Sequence, residues 1–248
     1  MNILKGKNNF FWRRISFLFG FSVICMLIVS VAYFAGEQVA FMGTEQDEPA
    51  SAKDKITVII DAGHGGRDGG ASTESGVLEK DLNLAVALKL RALLSELDVN
   101  VVMTRETDVM LADENSAHKK RDDLAARLKL AREQENCIFV SIHMNKFPVE
   151  KYSGLQVYYS KNNAESLLLA EAIQQKACEF LRKGNARTVK AADSSIYILH
   201  HIEVPAVLVE CGFLSNPEEA ALLQTESYRN KLAAVIFAAV AEHLAEAQ

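Results

Sequence analysis

Four side chains able to bind a metal or carry a proton stand at the ends of apolar runs or at a helix start. His64 lies in Asp61-Ala62-Gly63-His64-Gly65-Gly66, after the run Ile56–Ile60. His143 ends the run Cys137–Ile142, Glu210 follows Ala206–Val209, and Glu79 precedes a long helical pattern. Two imidazoles and one carboxylate form a donor set for catalytic zinc, which leaves a fourth position for water and lowers its pKa toward about 7. A second, unligated carboxylate can take that water's proton and hand it to a leaving amine. The glycines beside His64 let backbone approach a metal with no Cβ in the way. Each residue alone has a blander explanation: a loop histidine, a satisfied core histidine, an acid favouring a helix dipole. Glu210 is the exception, because a carboxylate buried after four apolar residues needs a purpose.

The elements that must position these groups alternate along the chain. Strands are expected over Ile56–Ile60, Val99–Met103, Cys137–Ile142, Leu155–Tyr159 and Ala206–Val209, all rich in β-branched or other apolar residues. Helices are expected over Asp81–Leu97, Arg121–Glu135, Ala164–Arg182 and Ser227–Ala245. The alternation predicts an α/β fold: a mostly parallel twisted sheet flanked by helices on both faces. Ligands in such sheets bind beyond the carboxyl ends of the strands, where three of the four groups fall.

The N-terminus is of another kind. Ile15–Ala35 holds no charge over twenty-one residues, roughly 30 Å as a helix and long enough to span a bilayer. Lys5, Lys7, Arg13 and Arg14 precede it, and Glu37, Asp47 and Glu48 follow it. The positive-inside rule then predicts a cytoplasmic segment 1–14, a membrane-spanning signal anchor 15–35, a tether 36–55 and an extracytoplasmic domain 56–248. Cleavage and secretion is the alternative, disfavoured because Ala32 and Ala35 are spaced by three rather than two. With 49% apolar and 24% charged residues the chain of 248 can build a core, and its net charge of −5 argues against a nucleic-acid partner, which would need a basic stripe. The four cysteines, at 25, 137, 178 and 211, are too scattered for a disulfide framework and read as free core thiols.

DAGHGGRDGG, then Glu79 in LEKDLNL, then SIHMN, then PAVLVECGFLSN resemble, in order, the motifs of the zinc-dependent N-acetylmuramoyl-L-alanine amidase family. The resemblance covers roughly residues 56–243. It implies one Zn2+ held by His64, Glu79 and His143, with Glu210 as the catalytic carboxylate, and peptidoglycan as substrate. Within the family the chain is similar to sporulation members, which pair an N-terminal apolar segment with a lone catalytic domain and carry VECGFLSNP. That likeness implies a role in spore cortex, where a polysaccharide deacetylase acts next, and leaves room for an accessory protein. A vegetative lytic role is the alternative. The chain departs from the family at Lys146, where Ala is common, and at His200, where Arg is common; both changes bear on substrate binding rather than on metal. No spare segment is visible that could plug the active site.

Around the quartet, Asp61 and Asn145 read as residues that shape loops or orient a ligand ring. His118, His200, His201 and His243 are expected at surface or groove positions, and Cys211 should point away from Glu210. Lys119, Lys120 and Arg121 are expected to face Asp122 and Asp123 on a solvated helix start. Two rivals stand against the enzyme. A nucleotide-binding loop fails because Asp68 occupies the third glycine position of G-x-G-x-x-G and no helix follows at once. A non-catalytic wall-binding module of the same fold would need a lesion in the quartet, and the sequence shows none.

Overall fold

The computed structural model describes residues 55–113, 115–181, 185 and 187–246. The expected cytoplasmic segment, membrane span and nearly all of the tether lie outside them. No helix among the described residues is long and apolar enough to cross a membrane.

Six strands form one sheet: β1 (Thr57–Ala62), β2 (Asn100–Met103), β3 (Cys137–Asn145), β4 (Gln156–Tyr159), β5 (Lys190–Ala191) and β6 (Ala206–Phe213), in the order β2-β1-β3-β6-β4-β5. The helices are α1 (Glu79–Leu94), α2 (Lys119–Arg132), α3 (Glu165–Phe180), α4 (Tyr197–His201), α5 (Pro217–Leu223) and α6 (Glu226–Glu246). Each expected strand and long helix is present, and β3 and β6 run on through His143 and Glu210.

The strands alternate between two cores. Val58, Ile60, Val140, Ile142, Val207 and Val209 face α1, α3 and α6, whereas Ile59, Phe139 and Ala206 face α2 and α4. This supports helices on both faces, but the sheet is mixed rather than uniformly parallel. β2, β1, β3 and β6 are parallel; β4 runs antiparallel to β6, and β5 follows β4. The cause is the connection: residues 146–155, between β3 and β4, contain no helix. A parallel neighbour needs a longer crossover, so the chain turns back instead.

Two expectations about α2 and α6 need correction. Leu128 and Ala131 are buried as expected, but Asp123 and Arg127 share that buried face. His243, expected at a surface or groove position, is 7% exposed on α6, a helix that packs against both α1 and α3.

Candidate metal centre

β1 ends into a loop whose backbone is forced into unusual shapes. His64 has φ +62, a left-handed conformation that costs a non-glycine residue of order 1–3 kcal/mol and persists only where its surroundings hold it. Arg127 supplies the hold: Nη2 donates to His64 O at 2.6 Å and Nη1 to Ala62 O at 2.9 Å. Arg105 adds Nε to Ala62 O at 2.8 Å and Nη2 to Gly63 O at 3.1 Å. Two guanidiniums thus pin three successive carbonyls. Gly63 is required here, since a Cβ would lie 2.2 Å from His143 Nε2.

The loop delivers His64 to two partners from other segments. Its Nε2 lies 3.2 Å from Glu79 Oε1, and His143 Nδ1 lies 2.9 Å from the same oxygen. The imidazole rings stand edge-on with centroids 4.9 Å apart. Among the described residues these three form the one group of His, Cys or acidic side chains whose donor atoms, all within 4.8 Å of one another, could hold a metal ion. Asp68 Oδ2 accepts from His64 Nδ1 at 2.9 Å, fixing the ring so that Nε2 points inward. Glu79, the first residue of α1, is 4% exposed; its carboxylate also accepts from Ala71 N at 2.8 Å and Met144 N at 3.1 Å. Burial opposes ionisation of Glu79, but hydrogen bonds from His143 and His64 outweigh it and hold the carboxyl well below its ordinary range. Burial likewise works against a charged His64; Glu79 and then Asp68 overcome it and lift the ring to about 8.

Glu210 completes the cluster through register. It lies opposite His143 across β3 and β6, so both side chains project from the same face. Its Oε2 is sealed from solvent with no hydrogen-bond partner among the described residues. Burial pushes the carboxyl up to about 7, the charge on Glu79 adding to the rise and His143 opposing it. Cys211 points to the other face and is buried there, as expected.

Under the loop lies a charged network that sequence reasoning did not find. Asp61 Oδ1 meets Arg127 Nη1 at 2.6 Å and accepts from Thr104 Oγ1 at 2.8 Å, while Oδ2 accepts from Ser141 Oγ at 2.6 Å. Asp123 pairs with Arg127 Nε at 2.7 Å and caps Leu111 N at 2.6 Å, so it belongs to no solvated helix start; only the Arg121–Asp122 pair does. Burial raises the Asp61 carboxyl, yet the Arg127 charge and the Ser141 hydroxyl hold it below its usual value. Asp61 therefore shapes the loop, as expected, and does so through Arg127.

The remaining candidates stay apart. Asn145 offers its carbonyl to Leu214 N at 2.7 Å, and Lys146 donates to Ser72 O at 2.8 Å. His118, His200 and His201 are exposed. Cys137, Cys178 and Cys211 are free thiols, Cys178 only half-buried. Asp68, Asn83 (Nδ2 to Glu79 Oε1, 3.3 Å), Arg105 and Arg127 were missed; a charge on the apolar side of α2 was the available signal for Arg127.

The family model for N-acetylmuramoyl-L-alanine amidase matches residues 58–242. The chain is 35% identical over 240 residues to the germination-specific N-acetylmuramoyl-L-alanine amidase of Bacillus subtilis (strain 168), covering 94% of this chain and 95% of that one. It is similar in structure to the CwlD amidase of Clostridioides difficile, solved in complex with the GerS lipoprotein, with TM-score 0.73 and 40% identity over 77% of this chain and 99% of that one. The catalytic domain of CwlV from Bacillus (Paenibacillus) polymyxa var. colistinus gives TM-score 0.66 and 31% identity over 77% of this chain and 98% of that one. A match over most of the described residues, in motif order and in fold, establishes that the chain belongs to the N-acetylmuramoyl-L-alanine amidase family.

Proposed function

We propose that this amidase cuts the bond between the lactyl carbonyl of N-acetylmuramic acid and the L-Ala nitrogen of the stem peptide, with His64, Glu79 and His143 holding zinc and Glu210 carrying the proton. The observation that carries the reading is the meeting of three donors from separate segments within 4.8 Å, with Glu210 in register beside one of them. The donor set suits the ion: two imidazoles and a carboxylate kept ionised, beside a buried carboxylate oxygen that has no partner among the described residues. Zinc held by His64, Glu79 and His143 would supply Lewis acidity to the carbonyl oxygen and lower the pKa of the attacking water.

The chain's own groups do the rest. Asp68 and the Arg127–Arg105 clamp keep His64 in place, and Ala71 N, Met144 N and Asn83 keep the Glu79 carboxylate in place. Glu210, buried beside the donors with Oε2 unpaired among the described residues, accepts the water's proton and returns it to the departing nitrogen.

The likeness to the germination amidase extends over nearly the whole of both chains, whereas the chain spans only 34% of the length of the LytC amidase of the same organism. This favours spore cortex over vegetative lysis. In that reading residues 15–35 anchor the domain outside the membrane and the peptide-free muramic acid becomes muramic lactam after a polysaccharide deacetylase acts. An accessory protein, as in the CwlD–GerS complex, assists it. The test is mass analysis of muropeptides after incubating the full chain with peptidoglycan, with and without chelator. Free stem peptides starting at L-Ala, lost on chelation and restored by zinc, are expected; release that survives chelation would overturn the metal assignment.

A further inference from the structure

The row of side chains that begins with His143 and Glu210 continues one strand further. Gln156 of β4 lies opposite Glu210 and projects from the same face. It is 1% exposed; Nε2 donates to Thr188 O at 2.5 Å, and Oε1 accepts from Arg187 Nη1 at 3.5 Å. Arg187 is held rigidly at this position. Its Nε donates to Ser153 O at 2.9 Å, and its guanidinium lies 4.6 Å over the Phe213 ring. Among the described residues its Nη2 meets no acceptor. Lys190 of β5, exposed and in register with Tyr158, sits 6.0 Å over that ring. Of the two acids that bear on Tyr158, Asp193 is occupied by Ser195 and Glu210 belongs to the centre already described.

We propose that Arg187, seconded by Lys190, forms a carboxylate-binding subsite that engages an acidic residue of the stem peptide just beyond the scissile amide. The spacing fits. Two strand separations put Gln156 roughly 10 Å from His143, and an extended peptide covers about 3.3–3.6 Å per residue. A carboxylate one or two residues past the cleaved bond therefore reaches the guanidinium. The chemistry fits as well: a planar fork, half-buried and stacked on an aromatic ring, meets a carboxylate with little ordering left to do. Peptides lacking an acid at that place would be held less well, so the subsite sets substrate preference without entering the bond-breaking step.

This subsite rests on the amidase reading, and the experiment separates the two. Glycan strands carrying stem peptides whose residue after L-Ala is glutamate with a free carboxylate, or the same residue as its carboxamide, are given to the full zinc-loaded chain. Wild type is expected to favour the free acid in kcat/KM by about tenfold or more, the range of a charge-assisted hydrogen bond. In Arg187→Met the acid-to-amide ratio falls toward one, and Arg187→Lys restores part of it. Because Arg187 also ties Ser153 to Gln156, Lys190→Met on an exposed side chain is the second arm and lowers the ratio in part. Equal turnover of both substrates by wild type, or variants that lower both rates with an unchanged ratio, would overturn the subsite and leave the amidase standing. Absence of cleavage of either substrate by wild type would overturn both.

Discussion

Replacing Arg127 with Met would leave Asp61 and Asp123, 1% and 6% exposed, without their shared counter-ion. It would also release the carbonyl of His64 and leave that of Ala62 to Arg105 alone. Removing one partner of a buried ion pair costs about 3–5 kcal/mol. At about 2–4 °C per kcal/mol for a domain of this size, the melting temperature should fall by roughly 6–20 °C. The loss depends on pH in a definite sense. With Arg127 present, the Asp61 carboxyl sits below its ordinary value, so its stabilisation is complete above about pH 4 and disappears as pH falls through the folded-state pKa. Without Arg127, burial dominates and favours the protonated acid, so the gap between variant and wild type should narrow in acid. Urea unfolding of both proteins at pH 7 and pH 4, with Asp61→Asn/Arg127→Met closing a cycle, measures this. A loss below about 1 kcal/mol at pH 7, the size of an exposed pair, would refute the argument.

Three further outcomes follow from the centre itself. Glu210→Gln should keep its zinc, measured by elemental analysis, while peptide release falls about 10²–10⁴-fold; retained turnover would remove Glu210 from the mechanism. Gly70→Ala would place a Cβ 2.6 Å from Glu79 Oε2 and 2.7 Å from His64 Cδ2 at φ +66, and should weaken zinc binding about tenfold or more in a chelator competition. Gly76→Ala, at φ +85 in open space, carries similar backbone strain and should leave zinc affinity unchanged. Finally, His64 near 8 is charged at pH 7 in the metal-free protein, whereas a ligand ring must be neutral. Calorimetry in buffers of different ionisation heat should show a proton released on zinc uptake below about pH 8, and none released at pH 7 would contradict it.

The quartet was legible because each member terminates or begins a strongly patterned run, and backbone pattern is what sequence shows best. The groups that hold the quartet were not. Arg105 and Arg127 reach the loop after β1 through long side chains from 42 and 63 positions away, and no local pattern announces such a reach. Asp68 was noticed only as a residue that spoils a glycine motif. The reversal of β4 could have been read from the missing helix between β3 and β4. The short helix α5 carried a signal in Asn216-Pro217-Glu218-Glu219: Asn216 Oδ1 accepts from Glu219 N at 2.9 Å, with Pro217 at the first turn. α4 had none, being five residues held by packing on α2.

The turn-back of β4 has an effect on what can vary. β1, β3 and β6 finish at one rim of the sheet, and β4 starts there, so residues 146–155 leave that rim and return to it without visiting the opposite edge. The exposed part of the excursion, residues 146–152, can lengthen, shorten or change its side chains while the strands that carry the donors keep their register. Selectivity in this scaffold is thus open to revision from a single loop, with the bond-cleaving apparatus left untouched.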